Sequence, residues 1–117
     1  MNENKIKPHI YSDIINMIAK NVHENAKAHG FWEKWKNDGE CIALMHSELS
    51  EALEALRQNP RQQDEHCPEH LNVTVELADC VIRIFDYAEA NGLNIGDALI
   101  AKHNYNCDRP YKHGKKI

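Results

Sequence analysis

Two pairs of carboxylates are the residues of this chain whose type and spacing point to chemistry. Glu48 and Glu51 form the first pair, and Glu76 and Asp79 form the second. Residues three positions apart lie on the same face of an α-helix, so each pair presents two carboxylates side by side. Clustered carboxylates repel one another and stay ionised only when a cation lies between them. Because oxygen ligands favour hard cations, the four residues predict a Mg²⁺ site, with Mn²⁺ as a possible substitute.

Either pair alone has an ordinary explanation, because glutamate is a good helix former and Glu-x-x-Glu is common on solvated helix faces. The pair of Glu76 and Asp79 is harder to explain in this way, since it lies in an otherwise apolar segment. From the residues alone, a metal site and two unrelated surface stripes therefore remain equally open interpretations of the two pairs.

Four amphipathic helices are predicted to carry these residues. Apolar side chains recur every three or four residues, and no segment alternates with the period of a strand. Turn-forming residues such as Asn59-Pro60 and Asn91-Gly92 mark helix ends. The fold class is therefore all-α, a four-helix-type bundle, with helices at about residues 9–28, 40–58, 69–90 and 95–106.

The third helix is apolar around most of its circumference, which is typical of the centre of a bundle or of a subunit interface. The loop before it has about ten residues, and this length allows the second and third helices to pack antiparallel, so that the carboxylates converge. A chain this short does not easily cover such a helix, so we expect a homodimer or homotetramer. The one polar stripe of the third helix carries Asn72, Glu76, Asp79, Arg83 and Asp86.

Composition excludes several classes of protein. The chain has 117 residues, of which 42% are hydrophobic and 27% charged, as expected for a single globular domain. A net charge of −4 argues against a nucleic-acid polymer as partner. No apolar run is long enough for a membrane span, and the polar start lacks a signal peptide, so the cytoplasm is the expected location. Residues 1–8 and 112–117 are expected to be flexible ends, and Cys41 and Cys80 are expected to pack as small apolar residues.

Three segments together resemble one family. Residues 42–57, which contain Glu48 and Glu51, resemble the second helix of the MazG-like, all-α nucleoside triphosphate pyrophosphohydrolases. Residues 75–82 resemble the third helix of that family, and residues 102–109 resemble its Lys-x3-Asn-x2-Arg element. Residues 113–116 continue this last element. The order and spacing of the segments are similar to the family pattern from about Ile10 onward.

The resemblance implies hydrolysis of a nucleoside triphosphate to the monophosphate and pyrophosphate, as in sanitation of the nucleotide pool. It implies that the four carboxylates bind Mg²⁺, with Glu48 and Glu51 as the catalytic groups and Glu51 orienting or deprotonating the attacking water. The implied substrate-binding residues are Lys102 and Arg109 at the phosphates, Asn106 at the sugar or a phosphate, Lys115 in a tail over the site, and Trp32 and His29 at the base.

Other readings remain open at this point. Phosphoribosyl-ATP pyrophosphohydrolase has the same type of carboxylate site and a different substrate. A ferritin-like metal protein needs Glu-x-x-His pairs, which this chain lacks. A non-catalytic helical interaction module accounts for the apolar third helix but leaves the paired carboxylates unexplained. His66, Cys67 and His70 resemble half of a zinc site, and no second half is evident.

Overall fold

Four α-helices make up most of the chain in the computed structural model, which describes residues 3–116. A short 3₁₀ turn, Tyr111–Gly114, follows the last helix. Within the described residues the only β-type pairing is an isolated antiparallel bridge between Gln63 and Leu71, so the all-α prediction is confirmed. The helices are α1 (Ile10–Ala28), α2 (Asp38–Gln58), α3 (Asn72–Ala90) and α4 (Ile95–Cys107).

Asparagine side chains begin two of the helices. The Asn37 side chain accepts a hydrogen bond from the Glu40 amide at 2.8 Å, and the Asn94 side chain accepts one from the Asp97 amide at 3.1 Å. Each bond satisfies one of the amides that a helix leaves unpaired in its first turn. After α3 the chain turns at Gly92, whose φ of 65° lies in the left-handed region that favours glycine. These local signals explain why the sequence placed α2, α3 and α4 correctly to within about three residues.

The prediction that the third helix begins at about residue 69 is wrong by one turn, because α3 begins at Asn72. The Asp64 amide donates to the His70 carbonyl at 2.9 Å, and the Asn72 amide donates to the Gln62 carbonyl at 2.8 Å. Leu71, between them, is extended with ψ of 146°. Residues 62–72 thus pair with one another as a small antiparallel loop, which takes the expected first turn of the helix out of helical geometry.

Helix α3 is the central element, since α2 and α1 both pack on it and α4 packs mainly on α1. Helices α2 and α3 run antiparallel, an arrangement that the length of the loop between them allows. The Tyr87 hydroxyl, near the end of α3, donates to Asp38 at the start of α2 at 2.9 Å. Further along α2, the Cys80 thiol donates to the Met45 carbonyl at 3.5 Å. The antiparallel arrangement brings the middle of α2, with Glu48, opposite the first half of α3, with Glu76.

The core between the helices is made of small side chains. Cys41 and Cys80 are buried, as expected from their apolar surroundings, and Ile100 is the only large aliphatic side chain that is buried among residues 3–116. Small residues let helix backbones approach closely, but they remove little apolar surface from water. Most large apolar side chains therefore remain partly exposed in a single chain. The other buried core residues are Ala19, Ala52, Ala55 and Ala88.

Helix α4 crosses α1 at a glycine. The Gly96 amide donates to the Asn16 side chain at 2.8 Å, and the same side chain donates to Asn94 at 2.7 Å. A Cβ atom at position 96 would collide with the carbonyl oxygen of Ser12 in α1. The close crossing thus depends on the absence of a side chain.

Gly96→Ala is expected to lower the free energy of unfolding by about 1–3 kcal/mol, because the helices must separate to admit the methyl group. Urea denaturation followed by circular dichroism measures the change. Gly39→Ala is the matched control, since a Cβ there meets only the Asn37 side chain, at 3.2 Å. Equal loss of stability in the two variants would contradict the packing argument.

The start of the chain lies along α4. The Ile6 amide and carbonyl form hydrogen bonds with the Asn104 side chain, both at 2.8 Å, and Lys5 pairs with Asp108 at 2.7 Å. Residues 1, 2 and 117, which belong to the ends expected to be flexible, lie outside the described residues. None of the helices in the described part of the chain combines the length and the apolar character needed to cross a bilayer.

Candidate metal centre

Three of the four predicted carboxylates converge between α2 and α3. One carboxylate oxygen from each of Glu48, Glu76 and Asp79 lies within 4.8 Å of the other two. Glu48 is only 7% exposed, which is unusual for a glutamate. It is buried because it lies on the face of α2 that packs on α3, in line with the core residues Ala52 and Ala55.

Glu51 lies at the solvent-exposed side of this cluster. A hydrogen bond with Glu48, followed by the negative charge of Glu48, raises the pKa of the Glu51 carboxyl to about 7. The charge of Glu76 and a hydrogen bond to it act in the same direction. Glu51 is therefore in contact with two members of the cluster, Glu48 and Glu76, and its carboxyl is protonated more readily than that of an ordinary glutamate.

The two carboxylates of α3 are also held in an unfavourable environment. Burial is the largest cause that raises the pKa of Glu76, and the charges of Asp79, Glu48 and Asp64 add to it. Burial likewise raises the pKa of Asp79, again with contributions from Glu48 and Asp64. A divalent cation removes this repulsion, and an all-oxygen set of ligands suits Mg²⁺ or Mn²⁺. The residues that converge here thus fit the cation that the sequence predicted.

A fifth carboxylate stands beside the cluster. Asp64 is 7% exposed, and its Oδ2 atom accepts hydrogen bonds from the amides of His66 and Cys67, both at 2.9 Å. These bonds fix the turn that leads from α2 to α3. Asp64 was not predicted as part of the site because it lies in a polar loop, where nothing in its spacing indicates that it folds back toward α3.

Arg83 is the cation that neutralises part of the cluster. Its Nε atom donates to Glu48 Oε1 at 2.6 Å. Arg83 lies one helical turn beyond Asp79, so its side chain reaches the same face of α3. Within residues 3–116, it is the only basic side chain that forms an ion pair with the four predicted carboxylates.

A cavity of about 290 Å³ opens directly beside the carboxylates, between α1, α2 and α3. Glu48 and Asp79 form part of its wall, and two basic side chains, Lys36 and Arg83, also face it. Sequence analysis did not assign Lys36, Arg83 or Asp86 to the site. For Arg83 and Asp86 the signal was present, because both belong to the polar stripe of the third helix. The remaining lining residues are Val22, Asn25, Ala26, Phe31 and Ile82.

The aromatic residues predicted at the base take different positions. The Trp32 indole donates to Asp86 Oδ1 at 2.9 Å, and its ring packs edge-on against His23 with 5.5 Å between the ring centres. Trp32 thus stands behind Asp86, while Phe31 lines the 290 Å³ cavity itself. His29 is exposed at the end of α1, where its ring bonds to the Asn25 carbonyl at 2.8 Å.

The C-terminal residues predicted at the phosphates do not line this cavity within one chain. Lys102 and Arg109 lie over the Tyr105 ring, 4.7 Å and 5.7 Å from its centre. The Asn106 side-chain oxygen is buried and has no hydrogen-bond partner among residues 3–116. Lys115 is exposed in the tail after the 3₁₀ turn. Helix α4 packs mainly on α1, and none of its side chains lines the cavity beside the carboxylates.

The fold and the site thus define an all-helical protein with a buried carboxylate cluster that opens into a small cavity. Comparisons of the chain with protein-family models, with curated proteins and with solved structures find no match. The function is therefore proposed from the chemistry of the side chains.

Proposed function

We propose that this protein is a Mg²⁺-dependent nucleoside triphosphate pyrophosphohydrolase, which converts a nucleoside triphosphate and water into the monophosphate and pyrophosphate. One observation carries the proposal: Glu48, Glu76 and Asp79, with Glu51 in contact, converge beside a cavity that also holds cationic side chains. Carboxylates suit a metal that bridges phosphates, and the cavity suits the organic part of the substrate. The resemblance of three segments to MazG-like enzymes supports the same reaction.

In this proposal the four carboxylates would hold the metal, which would polarise a phosphate group and lower the pKa of a water molecule. The water oxygen attacks the α-phosphorus, the bond to the bridging oxygen breaks, and pyrophosphate leaves. Glu51 is placed to take the proton of the water, since its carboxyl lies at the exposed side of the cluster and its pKa is raised to about 7. Lys36 and Arg83 face the cavity and compensate phosphate charge there.

The direct test is a panel of ribo- and deoxyribonucleoside triphosphates, together with phosphoribosyl-ATP, assayed for pyrophosphate release with Mg²⁺ and with EDTA. The proposal expects metal-dependent release with the monophosphate as the other product. Cleavage confined to phosphoribosyl-ATP would replace it with the histidine-pathway activity. A panel with no cleavage, under conditions in which the protein is folded and binds Mg²⁺, would refute hydrolysis.

Self-association is the second part of the proposal. Leu49 lies on the opposite flank of α2 from Glu51, and Leu77 lies on the opposite flank of α3 from Asp79, at about 100° per residue. Because the two helices are antiparallel, both apolar flanks lie on one side of the pair, away from the carboxylates. The side chains of this surface are between 42% and 56% exposed: Ile42, Leu49, Leu53, Leu77 and Val81.

The dimensions of the chain also support self-association. The radius of gyration of 16.6 Å exceeds the value of about 13 Å expected for a compact domain of this length. A second copy that packs its own α2 and α3 on this surface buries both apolar flanks in an isologous contact. We therefore propose a homodimer, or a homotetramer built from it.

Leu53→Glu is expected to shift the protein toward the monomer by placing a charge in the centre of the buried contact. Light scattering coupled to size-exclusion chromatography measures the molar mass at several concentrations. Ser50→Glu is the control, because Ser50 is exposed on the same helix outside the apolar flank. A wild-type protein that is monomeric at every concentration tested contradicts the proposed assembly.

A further inference from the structure

We propose that the 290 Å³ cavity binds a nucleobase whose amino group donates a hydrogen bond to Asp86. The protein then prefers cytosine or adenine nucleotides over the corresponding keto bases, uracil and hypoxanthine. This inference rests on the proposed function, because it assumes that the phosphates lie at the carboxylate cluster. It adds a residue that selects the substrate.

The spacing along α3 supports this placement. Asp79, in the carboxylate cluster, and Asp86 are seven residues apart, which is nearly two full turns and a rise of about 10.5 Å. Both side chains therefore lie on the same face of the helix, and both line the cavity. A nucleotide with its α-phosphate near Asp79 extends over a comparable length and brings the far edge of its base to Asp86.

The cavity walls suit a flat ring. Val22 and Ala26 come from α1, Phe31 from the segment after it, and Ile82 from α3. Ligand sites of this kind combine apolar walls with a few polar groups that fix orientation. Here Asp86 is the polar group furthest from the carboxylates along α3. A volume of about 290 Å³ leaves room for a base and its sugar and not for a second nucleotide.

The hydrogen bonds of Asp86 fix its carboxylate and leave one acceptor position free. Oδ1 takes the two short bonds, 2.7 Å from His23 Nδ1 and 2.9 Å from Trp32 Nε1. Oδ2 has only the longer contact with Trp32, at 3.1 Å, among the described residues. Two donors on one side hold the group in place, so the remaining lone pairs of Oδ2 are available to a ligand.

A carboxylate accepts hydrogen bonds and cannot donate them. The amino group of cytosine or adenine supplies the donor that Oδ2 needs. The keto oxygen that replaces it in uracil or hypoxanthine brings lone pairs against the negative charge of Oδ2, so at the position of the exocyclic group an attractive hydrogen bond is replaced by a repulsion between two acceptors. An unpaired acceptor in a buried site weakens substrate binding by more than the loss of an apolar contact does.

Two pairs of substrates test the inference. CTP carries an amino group on its base where UTP carries a keto oxygen, and ATP differs from ITP in the same way. With Mg²⁺, the wild type is expected to cleave the amino member of at least one pair with a kcat/KM at least about tenfold higher. The size of the base decides which pair responds, and either one supports the inference. Equal kcat/KM values within both pairs would overturn it and leave the hydrolase proposal intact.

Asp86→Asn is the matched variant, since its amide oxygen still accepts from Trp32 and His23 while its NH₂ group replaces Oδ2 as a donor. The amino-to-keto ratio is expected to fall at least about tenfold. Asp13→Asn, at an exposed position of α1, is the control and keeps the wild-type ratio. An unchanged ratio in Asp86→Asn would remove Asp86 from base selection.

Binding gives a readout that does not depend on hydrolysis. Calorimetry with CMP and UMP, and with AMP and IMP, is expected to show the same preference in the wild type and its loss in Asp86→Asn. If no triphosphate is cleaved but CMP or AMP binds more tightly than its keto partner, the base site stands and the hydrolase proposal fails. If no monophosphate preference is found in binding or in cleavage, the base site fails.

Discussion

Replacing Glu76 with glutamine is expected to lower kcat/KM for Mg²⁺-dependent pyrophosphate release by about 10³-fold or more. The variant keeps the size and the helix propensity of the side chain. It removes one negative charge from the cluster in which oxygens of Glu48, Glu76 and Asp79 lie within 4.8 Å of one another. Metal stabilisation of a phosphoryl transition state contributes several kcal/mol, and each 1.36 kcal/mol is a factor of about ten in rate. Coupled detection of pyrophosphate gives the rate, and calorimetry gives the affinity for Mg²⁺.

Stability separates this effect from misfolding. Because burial and neighbouring carboxylates raise the pKa of Glu76, the ionised side chain destabilises the metal-free fold. Glu76→Gln is therefore expected to melt at a higher temperature than the wild type in EDTA near neutral pH, although it has lost activity. Glu54→Gln is the control for both measurements, since Glu54 is an exposed carboxylate of α2 whose side chain accepts a hydrogen bond from Gln58 at 3.0 Å. Retained activity and Mg²⁺ affinity in Glu76→Gln would exclude the proposed metal site.

The metal-free protein is expected to lose stability as the pH rises from about 5 to about 8. The pKa of Glu51 is about 7 in the folded chain and close to its ordinary value of 4.5 in the unfolded chain. Between these two values the folded state binds more protons than the unfolded state, so unfolding becomes more favourable with each increase in pH. The raised pKa values of Glu76 and Asp79 add to this slope with the same sign.

Mg²⁺ should cancel this loss. At a free Mg²⁺ concentration about one hundred times its Kd, the melting temperature near pH 8 is expected to rise by about 10 °C. Thermal melts in EDTA and in Mg²⁺ across the pH range measure both effects. In Glu51→Gln the stability of the metal-free protein should depend less on pH. A wild-type protein whose stability in EDTA rises steadily to pH 8 would contradict the clustering of these carboxylates.

Local sequence was sufficient for the helices. The apolar repeat, the Asn37 and Asn94 caps and Gly92 act within one or two turns, so the signals and their effects are neighbours in the chain. The start of α3 is the exception, because residues 62–72 pair across the loop. Residues 69–71 have a local pattern that favours a helix, but hydrogen bonds between residues several positions apart hold this segment in a loop.

The carboxylate pairs were likewise readable from spacing, since residues three apart on a helix must share a face. The contacts between these carboxylates and side chains of other elements could not be predicted from the sequence. The ion pair of Arg83 with Glu48 and the bond of Trp32 to Asp86 each join two helices or a helix and a loop. Sequence analysis placed Lys102 and Arg109 at the phosphates, whereas in one chain both lie beside Tyr105 on α4.

The amino-acid sequence was thus enough to predict the helices, the helix faces that carry the acids and the apolar character of α3. Only the tertiary structure decided that Glu48, Glu76 and Asp79 meet, that Lys36 and Arg83 face the same cavity, and that α4 does not reach it. The reason is physical: helix periodicity depends on contacts within a few residues, whereas the cavity depends on how small residues such as Ala52 and Gly96 let distant helices approach.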